Sequence, residues 1–302
     1  MRIVSLVPHA TELLFALGLE DDVVGVTHEC DYPPAATECE RVTRDVLPAG
    51  LGAGEIDAAV RERTLAGQSI YELDRDALAA AEPDLIVTQA LCPVCAVSYE
   101  DVAAIAQELP GSPRVIALDP NTIGETQADV LAVAAATDTQ EQGERLVAQA
   151  AQRLERVEAA VAGLERPRVL ALEWLDPPFV AGHWTPQMIE LAGGEDAAGF
   201  PGEPSYSSDW KTLAGVGAEV AVVMPCGYGA QRARAEALGF GEQLAGLGAE
   251  RVVAVDAAAY FSRPGPRLVE GVELLAHILH PGRAPAPRGH LYEVELVRNP
   301  GG

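Results

Sequence analysis

Arg2-Ile3-Val4-Ser5-Leu6-Val7-Pro8-His9-Ala10-Thr11-Glu12-Leu13 decides the fold class of this chain. A strand-forming run from Arg2 to Val7 ends at a proline. A helix face follows at once in Leu13, Leu14, Phe15 and Leu17, closed by Gly18, with Thr11 placed to cap it. A second short strand, Val23 to Val26, comes next. Strand, helix, strand is the unit of a parallel sheet covered by helices.

The alternation continues outward. Helices are expected near Ala53–Ala66 and over Asp74–Ala81 and Tyr99–Glu108, with strands at Leu85–Thr88 and Arg114–Leu118. From Ile123 to about Leu164 no strand signal occurs. Val130, Val133, Leu146, Val147, Leu154, Val157 and Val161 suit a helix of roughly 60 Å unless Thr137-Asp138-Thr139 divides it. Pro167 restarts the pattern with strands Arg168–Leu172, Val220–Met224 and Val252–Val255. Helices are expected over Pro186–Leu191, Asp209–Leu213, Ala230–Leu238 and Leu268–Leu279, and Leu291–Val297 alternates like an edge strand. The expected class is α/β, two Rossmann-like lobes with parallel sheets joined by a long rigid helix. The lobes span 1–122 and 166–283, the connector 123–165 and a tail 284–302.

Composition narrows the function. Among 302 residues, 45 acidic side chains face 21 basic ones, a net charge of −24, which argues against a nucleic-acid partner. No apolar run is long enough to span a bilayer. The N-terminus lacks the long apolar core and small-residue cleavage site of a signal peptide, so the expectation for the chain as given is a cytoplasmic protein without membrane insertion. The alternative is an exported protein whose start lies upstream.

The five cysteines suggest metal or redox chemistry rather than disulfide staples. Cys92-Pro93-Val94-Cys95 lets two sulfurs reach one zinc ion, Cu(I) or iron–sulfur cluster, and the same spacing serves a redox pair. Cys30 and Cys226 also follow predicted strands, at the sheet edge where open α/β proteins bind ligands. Cys30, Cys92, Cys95 and Cys226 are therefore the candidate metal ligands, and Cys39 is a bystander.

Trp174, Trp184, Tyr228 and Phe261 fall near predicted strand ends and suggest a flat apolar platform for a macrocycle. Arg263 offers a guanidinium to a carboxylate, amide or phosphate. His28 and His183 are loop imidazoles suited to an axial position on cobalt or iron, and His9 sits at the first strand–helix junction. No nucleophile elbow, phosphate-binding glycine loop, dinucleotide fingerprint or zincin motif is present, so a binding protein rather than an enzyme is expected.

Several motifs resemble the helical-backbone substrate-binding proteins of ABC importers for cobalamin and iron chelates. They are the opening Arg2–Leu13 stretch, Val24-Gly25-Val26 leading into Cys30-Asp31-Tyr32-Pro33, and Glu82-Pro83-Asp84-Leu85-Ile86-Val87. Gly182-His183-Trp184 and Ala192-Gly193-Gly194 continue the pattern, with Ala218-Glu219-Val220 replacing the usual Pro-Asp before a strand. The resemblance covers residues 1–280. It implies a cobalamin-like corrinoid or other metal chelate held between two lobes, and a permease partner docked through surface carboxylates, here Glu72 and Asp209. The alternative reading is a cytoplasmic iron–sulfur or metal-thiolate protein built on the four cysteines.

Overall fold

The computed structural model describes residues 1–48, 50–66, 68–89 and 99–284, and the backbone of 291–293. The chain divides into two compact units, Met1–Pro120 with Gly124–Ala148, and Asn121–Ile123 with Gln149–Gly302.

The first unit carries β1 (Ile3–Ser5), α1 (Pro8–Ala16), β2 (Val23–Val26), β3 (Thr43–Asp45), α2 (Ala53–Leu65), β4 (Tyr71–Leu73), α3 (Arg75–Ala80), β5 (Leu85–Thr88), α4 (Tyr99–Glu108) and β6 (Arg114–Ala117). Its main sheet is all parallel in the order β2-β1-β5-β6, with Ile3 opposite both Val23 and Leu85. The residues of β1 and β5 are fully buried, as strands covered on both faces must be. The apolar N-terminal residues are thus core strand. α1 begins three residues before the expected cap. Pro8 occupies its first turn, where a missing N–H costs nothing, and Thr11 lies inside the helix with its hydroxyl bonded to Ser5 Oγ at 2.8 Å. A separate antiparallel pair, β3 with β4, sets Arg44 opposite Glu72.

The expected single long helix is two, α5 (Ile123–Ala136) and α6 (Gln140–Val161). Asp138 takes a left-handed φ of 57°, and the N–H of Thr139 returns to the carbonyl of Ala134 at 2.9 Å. That closure is a Schellman-type stop. Gly143 lets α6 pass close to α5, since a Cβ there would stand 2.5 Å from the Ala134 methyl. The division between the units falls inside α6.

The second unit carries β7 (Arg168–Leu175), β8 (Pro178–Val180), α7 (Thr185–Leu191), β9 (Glu195–Asp196), β10 (Tyr206–Ser207), α8 (Trp210–Ala214), β11 (Val220–Val223), α9 (Ala230–Gly239), α10 (Gly241–Gly246), β12 (Arg251–Val255), α11 (Ala257–Tyr260), α12 (Leu268–Leu279) and β13 (Leu291–Glu293). Its sheet runs β10-β8-β7-β11-β12-β13, with β9 beside the start of β7. The sheet is mixed rather than parallel. β7 continues to Leu175 and turns back through Asp176-Pro177 into antiparallel β8, and β13 joins β12 antiparallel at the far edge. Only β7, β11 and β12 form the parallel centre, with β9 parallel to β7 beside it.

Candidate functional site

In the first unit, the carboxyl end of the parallel sheet presents the loop Thr27-His28-Glu29-Cys30. Thr43 on β3 organises it. Its Oγ1 accepts the His28 backbone N–H at 3.0 Å, lies 2.7 Å from His28 Nδ1, and donates to Thr27 Oγ1 at 2.8 Å. Arg41 holds the same loop through the carbonyls of Thr27 and Cys30, at 2.8 and 2.9 Å. The ring of Tyr71 packs against that of His28 with centroids 5.1 Å apart, and its hydroxyl donates to Glu29 Oε1 at 2.8 Å.

Cys30 is turned inward. It is 1% exposed, packed among Ile3, Val7 and Val26, with its sulfur 3.0 Å from Thr11 Oγ1. His9 is buried as well. Cys92 and Cys95 lie outside the described residues. Cys39 is partly buried, and that burial pushes its thiol up. Among the described residues no group of three or more His, Cys, Asp or Glu side chains stands where it could hold a metal ion.

In the second unit, three loops meet at the carboxyl ends of β7, β11 and β12. The N–H of Cys226 donates to the Glu173 carbonyl at 3.0 Å, and that of Gly227 to Ser262 Oγ at 3.3 Å. The N–H groups of Ala257 and Ala258 both reach the Tyr228 carbonyl. Cys226 is exposed on this rim. Trp174 is half-buried and meets the Tyr228 ring edge-on, with centroids 5.5 Å apart. The Tyr228 hydroxyl accepts from Arg232 Nη2 at 2.9 Å, and the Arg232 guanidinium lies 3.7 Å from the ring centroid. Burial pushes the Tyr228 phenol up.

Tyr228 is buried, and so are the other two expected aromatics. Trp184 and Phe261 are 6% and 3% exposed, and the indole Nε1–H donates to the Phe261 carbonyl. Arg263 follows on the same loop, partly buried. His183 has a left-handed φ of 52°, held by its N–H on the Glu203 carbonyl at 2.6 Å and by the Gly202 N–H on its own carbonyl at 2.9 Å. Such strain persists only where neighbours fix it. Burial lowers the pKa of this imidazole and favours its neutral form.

The expected aromatic set therefore divides into one half-buried ring, Trp174, and three buried ones, Tyr228, Trp184 and Phe261. The sequence reading missed Arg232 and Thr43. Arg232 carried a signal, four residues after Tyr228 where a helix begins; Thr43 carried none, since Thr43-Arg44-Asp45 has no strand pattern.

The expected docking residues are both exposed. Glu72 receives two parallel hydrogen bonds from Arg44, at 2.7 and 3.0 Å, which hold its carboxyl below the usual range. Asp209 caps α8, accepting from the N–H and hydroxyl of Thr212 at 2.9 and 2.7 Å.

A family model described as periplasmic binding protein matches residues 3–232. A stretch of 41 residues is 58% identical to the vitamin B12-binding protein of Vibrio cholerae serotype O1. It covers 14% of this chain and only 15% of that relative's length. Over nearly full length, the fold is similar to three solved structures. A periplasmic haem-binding protein of Pseudomonas aeruginosa is 20% identical with a TM-score of 0.69, over 97% of this chain and 98% of that one. The periplasmic vitamin B12-binding protein of Vibrio cholerae is 22% identical with a TM-score of 0.66, over 92% and 96%. A periplasmic haem-binding protein of Roseiflexus is 25% identical with a TM-score of 0.68, over 93% and 98%. Matched by one family model from β1 through the start of α9, the chain belongs to the periplasmic binding protein family.

Proposed function

We propose that this protein binds a metal-centred macrocycle, foremost a cobalamin-like corrinoid, and hands it to an ABC permease. What carries the reading is Trp174, a partly exposed indole at the carboxyl end of β7, braced edge-on by Tyr228. A rigid, flat apolar surface with polar groups at its margin suits a corrin or porphyrin face. The stretch similar to a vitamin B12-binding protein points the same way. Arg263 is the proposed cation for a side-chain amide or carboxylate of the ligand, and His183 a proposed neutral imidazole beside it. Buried His9, Trp184 and Phe261 are proposed as supports. The role is binding rather than catalysis.

The iron–sulfur or zinc alternative gains no support, because Cys30 is a core residue and the similar structures are named for haem and vitamin B12 binding. The expected cytoplasmic location also gains none, since the family and the similar solved structures are named as periplasmic. We place the protein's work outside the cytoplasmic membrane, where delivery to a permease occurs. Glu72 and Asp209 remain the proposed docking carboxylates.

Titration of the full chain with cyanocobalamin, followed by corrin absorption and calorimetry, tests the reading. Binding is expected, weakened about tenfold by Trp174→Ala. Neither heat nor a spectral change with cobalamin, cobinamide or haem would overturn it.

A further inference from the structure

Phe200 and Tyr206 are 60% and 39% exposed, and their ring centroids lie 6.3 Å apart. Pro201 and Pro204, in the same short segment, are exposed too. Single apolar side chains on a surface are ordinary, but these four form a patch that calls for an occupant.

The patch is fixed before anything touches it. The N–H groups of Ala198 and Gly199 donate to Asp196 Oδ1 at 2.9 and 2.5 Å, and the Tyr206 hydroxyl donates to the Ala198 carbonyl at 2.9 Å. His183 clamps the turn between the two rings, with its N–H on the Glu203 carbonyl and its carbonyl accepting from the Gly202 N–H. Rings held in place lose little freedom on binding, so a few of them can dominate an interface.

Position in the sheet separates this pair from Trp174. Tyr206 lies on the edge strand β10 and pairs with Val180 of β8. Two strand spacings, about 10 Å, divide β10 from β7. The loop carrying Tyr228 follows β11, on the other side of β7. The charge along this stretch has one sign. From Val169 to Trp210 there are seven acidic residues and no Lys or Arg, and Glu203 and Asp209 are both exposed. Aromatic faces with carboxylates at their margin suit a partner that brings Arg or Lys side chains, which can stack on the rings and pair with the acids.

We propose that Phe200 and Tyr206 are the apolar anchor by which the second unit seats on an Arg- or Lys-bearing extracytoplasmic loop of the ABC permease, an assignment that rests on the permease reading above. Asp209, three residues beyond Tyr206, is then the margin of an aromatic contact and does not dock alone. The carboxylates govern the rate and orientation of encounter, and the two rings govern how long the complex lasts.

The test places the photo-crosslinking residue p-benzoylphenylalanine at position 72, 200, 206 or 209 of the full chain and adds membrane vesicles of the source organism. Adducts from 200 or 206 to an extracytoplasmic loop of an ABC permease, identified by mass spectrometry, are the expected result. With that permease in nanodiscs, Phe200→Ala should raise the dissociation rate about tenfold, and Glu203→Lys should slow association. Tyr206→Phe, which keeps the ring, should stay close to wild type. Phe200→Ala should melt with wild type and bind cyanocobalamin equally well, because the side chain is exposed and lies outside the Trp174 platform. Permease adducts from 72 or 209 with none from 200 and 206 overturn the anchor and leave the permease reading intact. Adducts from 200 and 206 to a second copy of this chain alone overturn it as well, as does a tenfold loss of cyanocobalamin affinity in Phe200→Ala. No permease adduct from any of the four positions removes both.

Discussion

The indole Nε1–H of Trp184 donates to the main-chain carbonyl of Phe261 at 2.8 Å, joining segments 77 residues apart. Both groups are buried, so Trp184→Phe should strand a carbonyl and cost about 1–3 kcal/mol. Chemical denaturation should show the midpoint falling. Ligand affinity, measured where the variant is folded, should change less than in Trp174→Ala.

Gly182 sits under a loop with no room for a side chain. A Cβ there would lie 2.4 Å from Ser205 N, 2.5 Å from the Glu203 carbonyl oxygen and 2.6 Å from the Pro204 carbonyl carbon. All three are backbone atoms and cannot swing aside. Gly182→Ala should destabilise by more than about 2 kcal/mol, read as a large drop in melting temperature or soluble yield.

Asp129 on α5 gives a pH signature. Burial, with Asp119 and Glu125 adding negative charge, pushes its carboxyl up to about 6 from an ordinary 3.8. The folded chain therefore holds this proton more tightly than the unfolded chain. That stabilisation is present below about pH 4 and lost as pH rises through about 6. The group is only partly buried, so solvent screening reduces the effect to about 1 kcal/mol. Asp129→Asn should melt higher than wild type near pH 7.5, with the gap closing near pH 4.

The two docking carboxylates should separate in a stability assay. Arg44 and Glu72 are 69% and 53% exposed, and Glu72→Ala should leave the melting temperature unchanged. A transport or permease-binding defect in that variant then reports docking. Asp209→Ala should lower the melting temperature by removing the cap of α8, and Asp209→Asn, which also caps, should recover it. Equal permease binding by wild type and Glu72→Ala removes Glu72 from the interface.

Legibility in the sequence followed burial. The runs Leu85-Ile86-Val87 and Val220-Ala221-Val222-Val223 read as strands because central parallel strands are apolar on both faces. β8 hid behind two prolines and β9 and β10 are two residues each, so these short strands left no pattern, whereas the alternation from Leu291 marked β13. The break at Asp138 showed only as a polar triplet, because its cause is a backbone conformation. In the site, Trp174 beside Tyr228 was legible as aromatics at strand ends. Trp184 and Cys30 looked the same from sequence whether they faced solvent or core, since both residue types fill interiors as readily as they line sites. The Thr27–His28–Thr43 network depends on hydroxyls brought together by an unpredicted strand, and spacing alone does not reveal it.

β1 occupies an interior position of its sheet, between β2 and β5. Its second edge stays unpaired until residues 85–88 are available to pair with it, so β1 is sealed only after a long stretch of later chain has been made. A released fragment ending before Leu85 would carry a fully apolar strand with one open ladder, a template for intermolecular pairing. The presence of Leu85–Thr88 therefore bears on soluble yield separately from the stability of the finished protein.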